Sequence, residues 1–237
     1  MVLDFDGTVT MKDVGDSILK RFAGLTEAEI RASYDPRVVT EDWMREKFRL
    51  VRSPLREIQR FVLASVRLRP GFSRLVGWCR ESGVPLEIVS GGVDLYLDLL
   101  LERWRVGSVP RFRAVSRPTA RGILVRYPFL RDARLDAFKR GRVAVHQRRG
   151  RRVLFAGDGT SDIPAARAAD AVFAAGSLWR YCRENAVPAR KLETFEEVRE
   201  HLIQASTKEK GKDRGHGGGL LMTRRSSALG GRRPPRA

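Results

Sequence analysis

The chain opens on a short apolar run that ends in acids. Met1-Val2-Leu3 leads into Asp4-Phe5-Asp6 and then Gly7-Thr8, the pattern of a buried strand running into a turn. From residue 12 to 68 apolar positions recur at helical spacing, and no stretch alternates as a half-buried strand does. Helices are predicted over 13–22, 27–33, 41–51 and 54–65, the last opened by a Ser-Pro start signal. Beyond Arg69-Pro70-Gly71 the pattern changes to strands alternating with helices. Strands are predicted at 85–89, 112–115, 123–127, 153–156 and 171–174. Helices are predicted over 72–82 and 95–104, from about 142, over 163–169, and near 178–185 and 195–203. Such alternation argues for a parallel sheet covered on both faces. The expected architecture is α/β: a three-layer, Rossmann-like core from residues 1–11 and 69–204, with a small helical cap over 12–68 inserted after the first strand.

After residue 205 the apolar positions nearly vanish. KEKGKDRGHGGG and RRSSALGGRRPPRA are too poor in apolar residues to offset their ordering entropy, so 205–237 is expected to be a basic Gly/Arg-rich tail without fixed structure. At the other end only three residues precede Asp4, fewer than a buried strand usually needs. Either the first strand is short or the natural start lies upstream.

Composition narrows the classes. Hydrophobic residues make up 42%, enough for a core. No apolar run approaches the ~18 residues of a membrane helix, and no basic-then-apolar leader is present. Cys79 and Cys182 have no CxxC or Cys/His neighbours, so neither a zinc site nor a disulfide framework is expected, and the chain reads as cytoplasmic. A net charge of +18 suggests nucleic acid, but 38 arginines against eight lysines are spread along the whole chain. No aromatic-interleaved basic strand accompanies them. That leaves room only for weak, non-specific binding by the tail. The run Arg148, Arg149, Arg151 and Arg152 reads as a solvated turn, and His146 as a structural mid-helix residue without a partner.

Four short motifs carry chemistry, each expected at the carboxyl end of a strand or the mouth of a helix, where open α/β sheets bind ligands. They are Asp4-Phe5-Asp6-Gly7-Thr8; Ser90-Gly91-Gly92; Lys139 ahead of a helix; and Gly157-Asp158-Gly159-Thr160-Ser161-Asp162. Asp4 and Asp6, two apart on a strand, share a face. If Asp4, Asp6, Asp158 and Asp162 converge, each pair of like charges at ~4 Å repels by about 4 kcal/mol at an effective dielectric of 20. The cluster then needs a cation or raised pKa values. Mg²⁺ suits an all-oxygen set. Together with Lys139 and one protonated Asp it brings the pocket to formal neutrality, so that a phosphate dianion can enter.

These motifs in this order resemble the haloacid dehalogenase superfamily over nearly all of residues 1–204: LDFDGTVT, Ser90, Lys139 and GDGTSD. The resemblance implies a Mg²⁺-dependent phosphatase in which Asp4 attacks phosphorus to form an aspartyl-phosphate, and Asp6 serves as acid and then base. It implies that Ser90 and the Gly91 amide hold phosphoryl oxygens and that Lys139 offsets charge. It also implies that Asp4, the Asp6 carbonyl, Asp158 and Asp162 hold the metal. The insert is similar to that of the phosphoserine-phosphatase-like branch. RPGFSRLVGWCRESGVPLEIVSGGVDLYLDLLL and GDGTSDIPAARAADAVFA are similar to the methionine-salvage phosphatases that act on 2-hydroxy-3-keto-5-methylthiopentenyl-1-phosphate. YPFLRDARLDAFK departs from them, lacking a cysteine-rich stretch. By spacing, Asp13 and either Arg45 or Lys47 are candidates to bind the leaving group, although Asp13 serves equally as a helix cap. A small keto- or hydroxy-phosphate ester is the first expectation and phosphoserine the second. A phosphomutase, and a basic nucleic-acid or anionic-surface binder acting through its tail, are the remaining alternatives.

Overall fold

Val2 and Leu3 are fully inaccessible to solvent and form β1 (Val2–Leu3), the shortest possible core strand. It is held on both sides, by β2 (Glu87–Val93) and β5 (Leu154–Gly157), both parallel to it. In this computed structural model, which describes residues 1–35 and 37–215, four more strands extend the sheet: β3 (Arg111–Thr119), β4 (Gly122–Arg126), β6 (Ala171–Ala174) and β7 (Arg190–Lys191). The order is β4-β3-β2-β1-β5-β6-β7. All neighbours are parallel except β3 and β4, which form an antiparallel hairpin at one edge. Central strands buried on both faces explain the near-continuous apolar runs, and Val2, Val89, Phe155 and Val172 share one core cluster with helix residues Val143, Ala165 and Leu178.

Between β1 and β2 the chain is helical: α1 (Val14–Ile18), a π-helical turn Leu19–Ala23, α2 (Glu27–Ala32), α3 (Thr40–Phe48), α4 (Leu55–Ser65) and α5 (Phe72–Glu81). α2 is set by a complete capping box, Thr26 with Glu29, which satisfies two of its orphan amides at once. α6 (Asp94–Arg103), α7 (Leu135–Gln147), α8 (Ile163–Ala168), α9 (Gly176–Glu184) and α10 (Phe195–Gly215) follow.

The structure corrects several expectations. Asp4 and Asp6 lie beyond the end of β1 rather than on it, although the Asp4 amide still bonds to the Ala156 carbonyl at 2.9 Å. Lys139 sits inside α7, not ahead of a helix; the Arg-rich sequence around it hid the first turns. His146 is in the last turn of that helix, its Nε2 3.3 Å from Glu87 Oε1, so it has a charged neighbour after all. The residues at 123–127 run antiparallel because Thr119 and Gly122 close a two-residue turn, the Thr119 hydroxyl bonding the Gly122 carbonyl at 2.7 Å. β7 gave no apolar signal because Arg190 and Lys191 are both exposed.

The chain divides into two units, Met1–Glu200 and His201–Ala237. The first contains the sheet and the motifs. In the second, the helix begun at Phe195 continues to Gly215, overturning the expectation of a structureless chain from 205. Propagating a nucleated helix needs only good helix formers such as Lys, Glu, Gln and Ala, not an apolar face. The rest of the expected tail lies outside the described residues. Among the described residues no helix is long and apolar enough to cross a membrane.

Candidate active site

The carboxyl ends of β1, β2 and β5 meet at one cavity of about 80 Å³. β1 and β5 are in register, Leu3 opposite Ala156, which brings the segment after Leu3 beside the loop after Gly157. Gly7 makes the turn between them. Its φ of +64° is the left-handed conformation glycine adopts freely, and a Cβ there would collide with the Asp158 carboxylate. Behind the turn lies Arg69, which sequence reasoning passed over as a boundary residue. Its buried guanidinium donates to the Thr8 and Gly7 carbonyls at 2.6 Å each and to Leu192 O at 3.2 Å. This ties the acidic loop to the segment that directly follows β7. One arginine in 38 carries no sequence signal of such a role.

Lys139 is almost wholly buried, at 1% exposure. Its ammonium reaches Asp4 Oδ1 at 2.9 Å, Asp162 Oδ1 at 2.6 Å and Ser161 Oγ at 3.3 Å. The other oxygen of Asp162 accepts the amides of Asp158 and Gly159 at 3.0 Å, so this carboxylate organises its own loop. α7 has no side-chain cap of its own; Glu41 of α3, buried, accepts the Leu135 amide at 3.2 Å. The helical insert thereby caps the helix that carries Lys139. At β2 the register slips between Val89 and Val93. Ser90 Oγ accepts the Gly92 amide at 2.9 Å and lies 3.5 Å from Asp6 Oδ2, while the Gly91 carbonyl is tied back by the Tyr127 hydroxyl at 2.8 Å.

The cavity is lined by Asp4, Asp6, Asp13, Asp16, Ser90, Gly91, Lys139 and Asp158, and on the insert side by Tyr34, Trp43 and Met44. Asp13 both lines it and caps α1, accepting the Asp16 amide at 2.7 Å. Arg45 and Lys47 do not line it. Arg45 pairs with Asp42 and lies over the Tyr127 ring, 5.2 Å from its centroid; Lys47 pairs with Glu46 at 2.8 Å. α3 turns Thr40, Trp43 and Met44 toward the cavity, at the i, i+3, i+4 spacing of one helix face. Arg45 is off that face and Lys47 lies a turn beyond it.

Burial dominates the electrostatics. It pushes Asp4 up to about 6, with Lys139 pulling back and Asp162 adding to the rise. It pushes Asp6 up to about 7, helped by Asp4 and opposed by bonds from Tyr96 and Val14. Asp158 is raised well above the carboxylate range by burial, then by Asp4 and Asp162. Burial works to lower Lys139, but Asp162 and Asp4 hold it above its ordinary value. Asp4, Asp158 and Asp162 each present an oxygen within 4.8 Å of the others. An all-oxygen set of this charge, short of positive partners, fits a hard divalent cation.

A pH dependence follows. In the folded, metal-free protein Asp4 and Asp6 keep protons to about 6 and about 7 and Asp158 is raised in the same direction, whereas unfolded chains release them near ~4. The native state therefore binds more protons between these values, and stability falls as pH rises through them. His146 and the Met1 amino group, both lowered chiefly by burial, work in the opposite sense but are outnumbered by the raised carboxyls Asp4, Asp6, Asp13 and Asp158. In chelator, the thermal midpoint is expected to drop between pH 5 and pH 8. A divalent cation should raise it more at pH 8, where protons no longer neutralise the site. Melting curves at both pH values, with and without Mg²⁺, check this; a metal-free midpoint that rises with pH would contradict it.

Comparison with known proteins agrees with this geometry. The family model described as haloacid dehalogenase-like hydrolase matches residues 1–167. A 2-hydroxy-3-keto-5-methylthiopentenyl-1-phosphate phosphatase of Brevibacillus brevis is 30% identical over 206 residues, covering 82% of this chain and 90% of that protein. The protein of the same name from Geobacillus thermodenitrificans is 32% identical, covering 84% and 93%. A polyol phosphate phosphatase of Saccharomyces cerevisiae is 28% identical, covering 87% and 93%. Among solved structures, a phospho-aspartyl intermediate analogue of phosphoserine phosphatase superposes with a TM-score of 0.65 at 19% identity, covering 84% of this chain and 96% of that one. At that identity the likeness speaks for the fold.

Proposed function

We propose, because this chain belongs to the haloacid dehalogenase-like hydrolases and is a phosphoric monoester hydrolase, that it works through Asp4 as nucleophile on a small phosphate ester whose leaving group carries no negative charge. Asp4 attacks phosphorus as the bond from phosphorus to the leaving oxygen breaks, and the Asp6 carboxyl proton passes to that oxygen. Water then gives a proton to Asp6 as it attacks the aspartyl-phosphate, the bond to Asp4 breaks, and inorganic phosphate leaves. Ser90 and the Gly91 amide bind phosphoryl oxygens. Lys139 fixes the orientation of Asp4 through Oδ1 and offsets charge. Mg²⁺, held by Asp4, Asp158, Asp162 and the Asp6 carbonyl, would supply the positive charge that lets a phosphate dianion sit among carboxylates.

The observation that carries the substrate reading is the charge of the lining. Among the described residues that line the cavity, Lys139 is the one cation, and it is committed to Asp4 and Asp162. A phosphoserine carboxylate would find no partner there, at a cost of several kcal/mol for an unpaired desolvated charge. Asp13 and Asp16 instead suit hydroxyl donors, and Trp43 and Met44 suit an apolar end. This favours 2-hydroxy-3-keto-5-methylthiopentenyl-1-phosphate, with its hydroxyl and methylthio groups, over phosphoserine. Residues 12–68 act as the cap over the leaving group. The free, buried Cys79 and Cys182 suit a reducing, cytoplasmic setting.

Phosphate release from a panel of metabolite phosphates tests the ranking. The methylthio-keto ester and polyol phosphates should lead, with phosphoserine at least about tenfold lower in kcat/KM, the ratio for ~1.4 kcal/mol. Phosphoserine at the head of the panel would overturn the substrate reading.

A further inference from the structure

We propose that Tyr96 is a positioning residue for proton transfer: its hydroxyl holds the Asp6 carboxyl in the orientation from which it protonates the leaving oxygen. This rests on the reading of Asp6 as the acid. Tyr96 lies in the first turn of α6 and is fully buried. Its hydroxyl donates to Asp6 Oδ2 at 2.7 Å, while the Val14 amide donates to Oδ1 at 3.1 Å. The terminal torsion of an aspartate is broad and nearly free by itself. Two donors from two different helices, one on each oxygen, fix the plane of the carboxyl.

A buried tyrosine needs some partner for its hydroxyl, so the bond alone could be mere satisfaction. Gly92 argues against that. A Cβ at this position would collide with both the Tyr96 hydroxyl and Asp6 Oδ2, and would sit 3.0 Å from Ser90 Oγ. The backbone there is not left-handed, so close approach, rather than conformation, demands glycine. The phosphate-binding turn thus leaves open the space in which the tyrosine and the acid meet.

The acid matters in proportion to how poor the leaving group is. An alkoxide needs a proton as it departs; p-nitrophenolate does not. The informative quantity is kcat/KM, which reports the steps through phosphoryl transfer to Asp4. Tyr96→Phe keeps the ring and removes the donor. It is expected to lower kcat/KM for β-glycerophosphate by about 10- to 100-fold, the scale of a catalytic group misplaced by ~1 Å. For p-nitrophenyl phosphate the fall should stay within about threefold, since acid assistance worth ~10²-fold or more is not needed there. A melting curve establishes that the variant is folded. Asp6→Asn serves as the reference. If it shows the split and Tyr96→Phe lowers the two substrates equally, or neither, the role of Tyr96 is wrong while Asp6 remains the acid. If Asp6→Asn itself lowers both equally, the reading of Asp6 falls first.

Discussion

Asp4→Asn is expected to fold as the parent does and to lose at least about 10⁴-fold in turnover, approaching the ~10⁶-fold seen when a covalent nucleophile is removed. The amide keeps the shape of the carboxylate and an oxygen for Lys139, which now bonds Asp4 Oδ1 at 2.9 Å. What it loses is the charged oxygen that attacks phosphorus in the proposed reaction. Stability should not suffer. Asp4 is 6% exposed, and burial first, with the charge of Asp162 adding to it, pushes its pKa up against the pull of Lys139, so neutralising it removes a poorly solvated charge from the metal-free protein. Phosphate release and a melting curve on the same sample separate the two effects. Appreciable turnover in Asp4→Asn would mean direct attack by water and would remove the covalent step.

Chelation is the second large effect. Removing divalent cations should lower activity at least about a thousandfold, and adding Mg²⁺ should restore it. The reason is the charge balance: Asp4, Asp158 and Asp162 gather within 4.8 Å, and Lys139 is the cation that reaches two of them. A phosphate dianion entering that cluster meets repulsions of about 4 kcal/mol per close pair at an effective dielectric of 20, each worth nearly three decades in binding. Asp158→Asn should weaken metal activation without unfolding the chain, because among the described residues its side chain accepts a single long bond, 3.5 Å from the Thr8 hydroxyl. Asp162→Asn should be worse, since Asp162 also holds two backbone amides and Lys139. Full turnover in excess chelator would sink the metal assignment.

What was legible in the sequence was what the backbone encodes at short range. The spacing of Asp4, Asp6 and Gly7, and of Asp158 and Asp162, reflects one turn and one loop, and the structure brings these residues together with Ser90 and Lys139. The alternation of strands and helices after Arg69 similarly reflects burial on both faces of the sheet. What stayed hidden depends on long-range partners. Tyr96 reads as an ordinary core aromatic of α6; its hydroxyl bond to a residue 90 positions away leaves no periodic trace. Glu41 reads as a favourable acid at the start of α3, yet it caps α7, 94 positions later. Arg45 and Lys47 were drawn toward the site by spacing alone, and spacing could not tell which face of α3 turns inward. The strand at 123–127 was legible but its antiparallel direction was not, because its turn is closed by Thr119 rather than by the Asn-Gly or Asp-Gly pair that announces a hairpin.

The covalent step is the centre of the account, and one measurement reaches it directly. Asp6→Asn should still be phosphorylated by p-nitrophenyl phosphate, whose leaving group needs no acid, but it lacks the base that activates water for the second half. Rapid quench into acid followed by peptide mass analysis should then find one phosphoryl group on the amino-terminal peptide, at Asp4, lost on treatment with hydroxylamine as an acyl phosphate is. Asp4→Asn/Asp6→Asn, run in parallel, should carry none. A phosphoryl group on any other residue, or none on Asp6→Asn while p-nitrophenol is released in a burst, would contradict Asp4 as the nucleophile.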